Sequence, residues 1–145
     1  MNDTQVLLQP AYILQHRKYR ESSLILDVLT QDYGVISILA RGVRKKKSKI
    51  AGVLLAFTPL KISFISKSEL KLLTHVEAEQ SMHELKGLSL YCGFYINELV
   101  NCFLHKHDPH PEVFTEYRHC LGLLTSNEDT EQVLRFFELN LIEQI

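Results

Sequence analysis

The sequence predicts an α+β protein, with a five-stranded β-barrel over residues 1–79 followed by α-helices over residues 80–145. Three observations lead there. Apolar residues come in short, partly alternating runs up to about residue 78, and at helical spacing after residue 80. Turn residues punctuate the first part, while Pro109 and Pro111 punctuate the second. The charge reverses at the same place: residues 1–75 hold 12 Lys/Arg against 5 Asp/Glu, and residues 76–145 hold 4 against 12. The overall charge of -1 conceals this split, which makes the basic half the candidate for a polyanion.

Val6 to His16 reads as the first strand and Ser23 to Thr30 as the second. Gln31-Asp32-Tyr33-Gly34 is turn chemistry leading into Val35 to Ala40, so the second and third strands form a hairpin. Leu60, Ile62 and Phe64 alternate with Lys61 and Ser63 as a half-buried fourth strand, and Leu70 to Val76 is the fifth. Five short strands with one longer connection suggest a small closed barrel. Beyond it, Leu88, Tyr91, Tyr95, Leu99 and Cys102 mark a first helix, and Val113 to Leu124 a second. Asp129 with Gln132 opens a third, which is apolar around most of its circumference and so expected to be buried on several sides. The chain ends there without a cap, and the helical domain is expected to be incomplete at its C-terminus.

Composition excludes several classes. With 145 residues, 46% hydrophobic, the chain has the size of one ordinary domain or of two modules sharing a core. No apolar run approaches the roughly 20 residues of a membrane span, and polar residues open the N-terminus, so neither membrane nor secretion is expected. Cys92, Cys102 and Cys120 form neither a disulfide framework nor a CxxC pair, which favours a reducing cytoplasm.

The densest motif is Arg41-Gly42-Val43-Arg44-Lys45-Lys46-Lys47-Ser48-Lys49, with six cations in nine residues. Such crowding costs about a few tenths of a kcal/mol per close pair unless an anion relieves it. Phosphates do so, and counterion release adds salt-dependent affinity. The bland alternative is a solvated loop. OB-folds present loops and one strand face to single strands, which favours binding here. Arg17, Lys18 and Arg20 add a second basic cluster around Tyr19, the candidate stacking residue, whereas Phe57 and Phe64 are assigned to the core. His105, His107, Asp108 and His110 contain zinc-ligand types, but His105 and His107 diverge by about 200° on a helix end. No GxSxG elbow or phosphate-cradling glycine loop is present, so neither catalysis nor a cofactor is expected.

The ordered set Tyr19-Arg20-Glu21-Ser22-Ser23-Leu24, Leu29-Thr30, Gly34, Ala40-Arg41-Gly42-Val43-Arg44 and Ser48 resembles the N-terminal domain of the bacterial recombination mediator RecO. The similarity continues through Phe57-Thr58-Pro59-Leu60, Glu69-Leu70-Lys71, Glu77-Ala78-Glu79, Leu90-Tyr91-Cys92-Gly93, Tyr95-Ile96-Asn97-Glu98-Leu99 and Phe137-Glu138-Leu139. The resemblance implies an N-terminal OB-fold, a helical domain, and binding of single- and double-stranded DNA. It further implies strand annealing, and joint action with RecR to load RecA onto strands coated by single-stranded-DNA-binding protein. A cytoplasmic, nucleoid-associated setting follows. By position, Arg41, Arg44, Lys45, Lys46, Lys47 and Lys49 match the family's basic region, without fixing each contact. Family members continue past this chain's last helix, which puts docking of the single-stranded-DNA-binding protein in doubt and exposes an apolar face for self-association. The expectation is a non-enzymatic DNA-binding protein of recombinational repair. The alternatives are an RNA-binding OB module, a metal-dependent hydrolase using His105, His107 and His110, and a protein–protein adaptor.

Overall fold

The computed structural model describes residues 4–45, 53–79, 84–126 and 129–145. Five strands, β1 (Thr4–Tyr19), β2 (Ser23–Thr30), β3 (Gly34–Ala40), β4 (Leu60–Ser66) and β5 (Leu70–Ala78), precede three helices, α1 (Leu88–Phe103), α2 (Pro111–Thr125) and α3 (Thr130–Gln144). The strands close into a barrel in the order β1-β2-β3-β5-β4. This is the expected α+β architecture, an OB-fold barrel followed by helices.

The long first strand makes closure possible. Its first half, Thr4 to Ala11, pairs with β4, and its second half, Ala11 to Tyr19, pairs with β2. Register shifts between Val6 and Gln9 and between Ile13 and Gln15 bend it from one neighbour to the other. At the first shift Leu8 takes a φ of 50° and its amide donates to Ser63 Oγ at 3.0 Å. A parallel pairing of Ser37–Leu39 with Leu70–Leu72 closes the other side. Alternation along β2 and β3 sends Leu26, Val28, Ile36 and Ile38 inward, where they meet Ile13, Leu60, Ile62 and Phe64.

The opposite face of the same strands builds a second core. Tyr12, Leu14, Leu29 and Val35 project outward and are covered by Ile96, Val100, Phe114, Tyr117 and Leu121 of α1 and α2. Tyr12 is completely buried, its ring centroid 4.9 Å from that of Tyr117 and 5.6 Å from that of Phe114. Burying each such ring contributes about 2–3 kcal/mol. The Tyr117 hydroxyl donates to Asn97 Oδ1 inside this core, and burial raises its pKa far above the usual phenol value. Phe57 and Phe64 are both core residues, as expected, but in different cores: Phe57 packs with the helices and Phe64 fills the barrel. Gly93 permits the approach of α1, because a Cβ there would lie 2.6 Å from Leu85 and 2.8 Å from Phe57.

The β2–β3 hairpin is fixed by side chains. Thr30 Oγ1 donates to the Gly34 carbonyl at 2.7 Å and accepts from the Tyr33 amide at 3.0 Å. Gln9 clasps Asp32 with two hydrogen bonds of 2.7 and 3.0 Å. Gly34 sits at φ 72°, and a Cβ there would fall 2.4 Å from the Asp108 carbonyl oxygen. That close approach lets the loop after α1 lie along β3, where the His107 amide donates to the Val35 carbonyl at 2.9 Å.

Pro111 starts α2, and the Asp129 carboxylate caps α3 by accepting from the Glu131 and Gln132 amides. Helix α3 is not buried on several sides and instead carries the exposed apolar face that the resemblance implies. It buries Val133, Phe137 and Leu141, and leaves Phe136, Leu139, Ile142 and Ile145 exposed. Among the described residues, α1 and α2 pack against it and cover one stripe of it. No helix among the described residues is long and apolar enough to cross a membrane.

Candidate nucleic-acid interface

The β2–β3 register sets Leu24 opposite Ala40, so the β1–β2 turn and the segment leaving β3 meet at one end of the barrel. Arg20 occupies the turn at φ 54°, a left-handed conformation that a side chain normally avoids. It is stabilised from across the gap by Arg44. The Arg44 amide donates to the Ser22 carbonyl at 2.9 Å, Nε donates to the Ser23 carbonyl at 2.9 Å, and Nη2 donates to the Arg20 carbonyl. The Gly42 amide donates to Ser23 Oγ at 3.3 Å, and Val43 is buried in the barrel interior. Residues 41–45 are thus fastened by Val43 on one side and Arg44 on the other, which leaves Arg41 and Lys45 exposed.

Between the two segments lies an open cleft of about 550 Å³. Arg20, Arg41 and Lys45 supply three cations to its walls, Ser22 and Ser23 supply hydroxyls, and Tyr19 and Leu39 supply apolar surface. Among the described residues no carboxylate lines it. The Arg20 guanidinium carbon stands 5.1 Å from the Tyr19 ring centroid, so ring and guanidinium form one stacked pair at the edge of the cleft. Three cations converging on a partly enclosed space raise the local potential and attract an anion with several charged oxygens.

Of the ten candidate residues, four (Tyr19, Arg20, Arg41 and Lys45) form the cleft. Arg44 lies behind it and holds the turn. Lys18 is exposed outside its walls, and Arg17 has its guanidinium 3.9 Å from Asp27 Oδ2. Lys46, Lys47 and Lys49 lie outside the described residues. The histidines take separate environments: His105 is exposed, His110 Nε2 is 3.3 Å from Asp108 Oδ2, and His107 lines a separate cavity with Lys71. Among the described residues no group of three or more His, Cys, Asp or Glu side chains is placed to hold a metal ion.

One polar cluster was not anticipated from the sequence. Asp27, only 3% exposed, sits on the outer face of β2 where the barrel meets the helices. It accepts from Gln15 Nε2 at 2.7 Å, Ser37 Oγ at 2.9 Å, Lys106 Nζ at 3.3 Å and Asn101 Nδ2 at 3.3 Å. Burial pushes its pKa up, but the hydrogen bonds from Ser37 and Gln15, with the Lys106 charge, outweigh burial and hold it below the usual carboxylate value. Lys106 also donates to Ser37 Oγ at 2.6 Å. Lys106, Ser37 and Asp27 thus form one hydrogen-bonded network. Asp27 ties strands β1, β2 and β3 to α1 and the loop behind it, directly beside Arg17. The signal for it was a lone carboxylate inside the apolar run of β2.

Comparison with known proteins agrees with this architecture. The family model described as "Recombination protein O N terminal" matches residues 1–82, and that described as "Recombination protein O C terminal" matches residues 85–145. A protein named DNA repair protein RecO from Methylococcus capsulatus is 44% identical over 142 residues, covering 98% of this chain and 59% of the relative. Its namesake from Burkholderia pseudomallei is 43% identical over 143 residues, covering 99% and 52%. That from Photobacterium profundum is 38% identical over 138 residues, covering 95% and 58%. The chain therefore spans between half and three-fifths of the length of these relatives. Matched along nearly its whole length, the chain belongs to the recombination protein O family.

Proposed function

We propose that this chain is a non-enzymatic DNA-binding module of recombinational DNA repair, which holds a strand by its phosphates in the cleft formed by Arg20, Arg41 and Lys45. The observation that carries this reading is the convergence of three cations and a stacked Tyr19–Arg20 pair from two separate segments. Phosphate oxygens neutralise the cations, and the planar pair offers a surface to a base. Lys46, Lys47 and Lys49 extend the basic segment in sequence, and we assign them to raising the potential around the cleft. Annealing follows from the same physics, since two strands repel less once cations screen their phosphates. Action with RecR, with single-stranded-DNA-binding protein and, through them, with RecA belongs in this proposal to the longer protein of which the family's members are examples.

The test is fluorescence-anisotropy titration with a labelled single-stranded DNA and an RNA of the same sequence, together with annealing of complementary strands. The expected result is DNA binding that weakens with salt, no preference for RNA, and annealing faster than without protein. Preference for the strand bearing 2′-hydroxyls would instead favour an RNA-binding module.

A further inference from the structure

A second concavity lies at the hairpin end of the barrel. Its floor is the barrel core itself, Val6, Ile36 and Phe64, and its walls are Tyr33, Lys71 and His107. We propose that this cavity is a second subsite that takes one unstacked nucleobase of a DNA strand held in the basic cleft. The inference rests on the DNA-binding reading above, and adds to it where a base is buried.

Size, shape and chemistry support it. The cavity measures about 180 Å³, room for about six waters. That suits a single ring system and is small for a drug-sized ligand. An apolar floor with an aromatic wall favours a flat heterocycle. Tyr33 is 41% exposed; the Thr30 and Gln9 hydrogen bonds tie down the backbone of its turn, and its ring packs edge-on against Phe64 at 5.9 Å. A preordered ring binds a stacking partner with little further loss of entropy. Lys71, held by a 2.6 Å bond from Nζ to the Ser68 carbonyl, places a cation at the wall for the adjoining phosphate. Burial lowers the pKa of His107, with Lys71 reinforcing and Glu69 opposing. Its neutral imidazole carries one donor and one acceptor, the complement a base edge requires.

The two subsites lie at opposite ends of the β2–β3 hairpin. Strand β2 has eight residues, roughly 25 Å at ~3.3 Å per residue. That distance is about seven nucleotides at the ~3.4 Å spacing of a stacked strand, within the ~4–16 nucleotides one OB-fold covers.

The experiment titrates wild-type protein, Tyr33→Leu and Lys71→Gln with oligodeoxythymidylates of about 4 and about 15 nucleotides. Thermal unfolding is run on each variant, since Tyr33→Leu keeps an apolar cover over Phe64 and Lys71→Gln removes only an exposed bond to the Ser68 carbonyl. Loss of about 10-fold in affinity for the long oligonucleotide with Tyr33→Leu, and a smaller loss with Lys71→Gln, is expected, with the short one unaffected. Photo-crosslinking of a long 5-iododeoxyuridine strand is expected to label Tyr33 or His107. If wild type binds both oligonucleotides and both folded variants match it, with no crosslink at this end, the inference is overturned. If wild type binds neither length, the DNA-binding reading itself fails, and this inference with it.

Discussion

Arg44 distinguishes a residue that builds the cleft from one that touches its ligand. Changing it to Ala removes the hydrogen bonds from Nε to the Ser23 carbonyl and from Nη2 to the Arg20 carbonyl. Bonds from a charged donor contribute about 1.5–3 kcal/mol each when buried. Arg44 is half-buried and water replaces part of each bond, so about 1 kcal/mol apiece, or about 2 kcal/mol together, is expected. For a chain of this size that corresponds to a fall of about 4–8 °C in the unfolding midpoint. Arg20, relieved of its clamp, then leaves the left-handed region, and DNA affinity falls as the wall loosens. Arg41→Ala should do the reverse: an unchanged midpoint, with the log–log salt slope of single-strand binding shallower by about 0.7. The assay is thermal unfolding beside a salt titration for both variants. An Arg44→Ala protein that unfolds with the wild type, and whose salt slope drops like that of Arg41→Ala, would show that Arg44 is a phosphate contact and refute the clamp.

Three other expectations concern the scaffold. Asp27 has a folded-state pKa below its unfolded value of about 3.9, so the unfolded chain binds more protons as pH falls. Its contribution is full at neutral pH and is lost as pH drops below about 4, where the unfolding free energies of wild type and Asp27→Asn from urea titration should converge after differing by about 1–3 kcal/mol at pH 7. Gly34→Ala forces a side chain onto a φ of 72° and against the Asp108 carbonyl. It should cost about 3 kcal/mol or more by denaturant unfolding. Asp129→Ala removes two capping bonds from α3 and should lower stability by about 1 kcal/mol, a loss that Asp129→Ser largely restores.

The hairpin and the barrel were legible because alternation and turn chemistry are local. Ser23 to Thr30 matches β2, and the turn residues fall where the chain reverses. β1 runs on to Tyr19, beyond the His16 end that the sequence suggests, because the charged Arg17 and Lys18 carry no apolar alternation to mark it. Tyr12 lies fully buried under the helices. The middle of β1 is buried on both faces, and no strand pattern reveals which neighbour covers the second one. Helix α3 shows the converse, since its apolar residues exceed what α1 and α2 cover. For the candidate site, the basic residues were visible as a run. The meeting of Arg20 with Arg41 and Lys45 follows from the hairpin register, while the orientation of Arg44 depends on the conformation of a turn. Asp27 went unnoticed because its partners come from Gln15, Ser37, Asn101 and Lys106, four places far apart in the chain.

A cleft that grips phosphates must lose salt dependence when its cations are removed. The most direct test is the salt dependence of single-strand binding by wild type and by a triple variant, Arg20→Ala with Arg41→Ala and Lys45→Ala. With each lost contact worth about 0.7 in slope, the expected result is a decrease of about 2 units in the variant, which retains its fold. Equal slopes and equal affinities for the two proteins would contradict it.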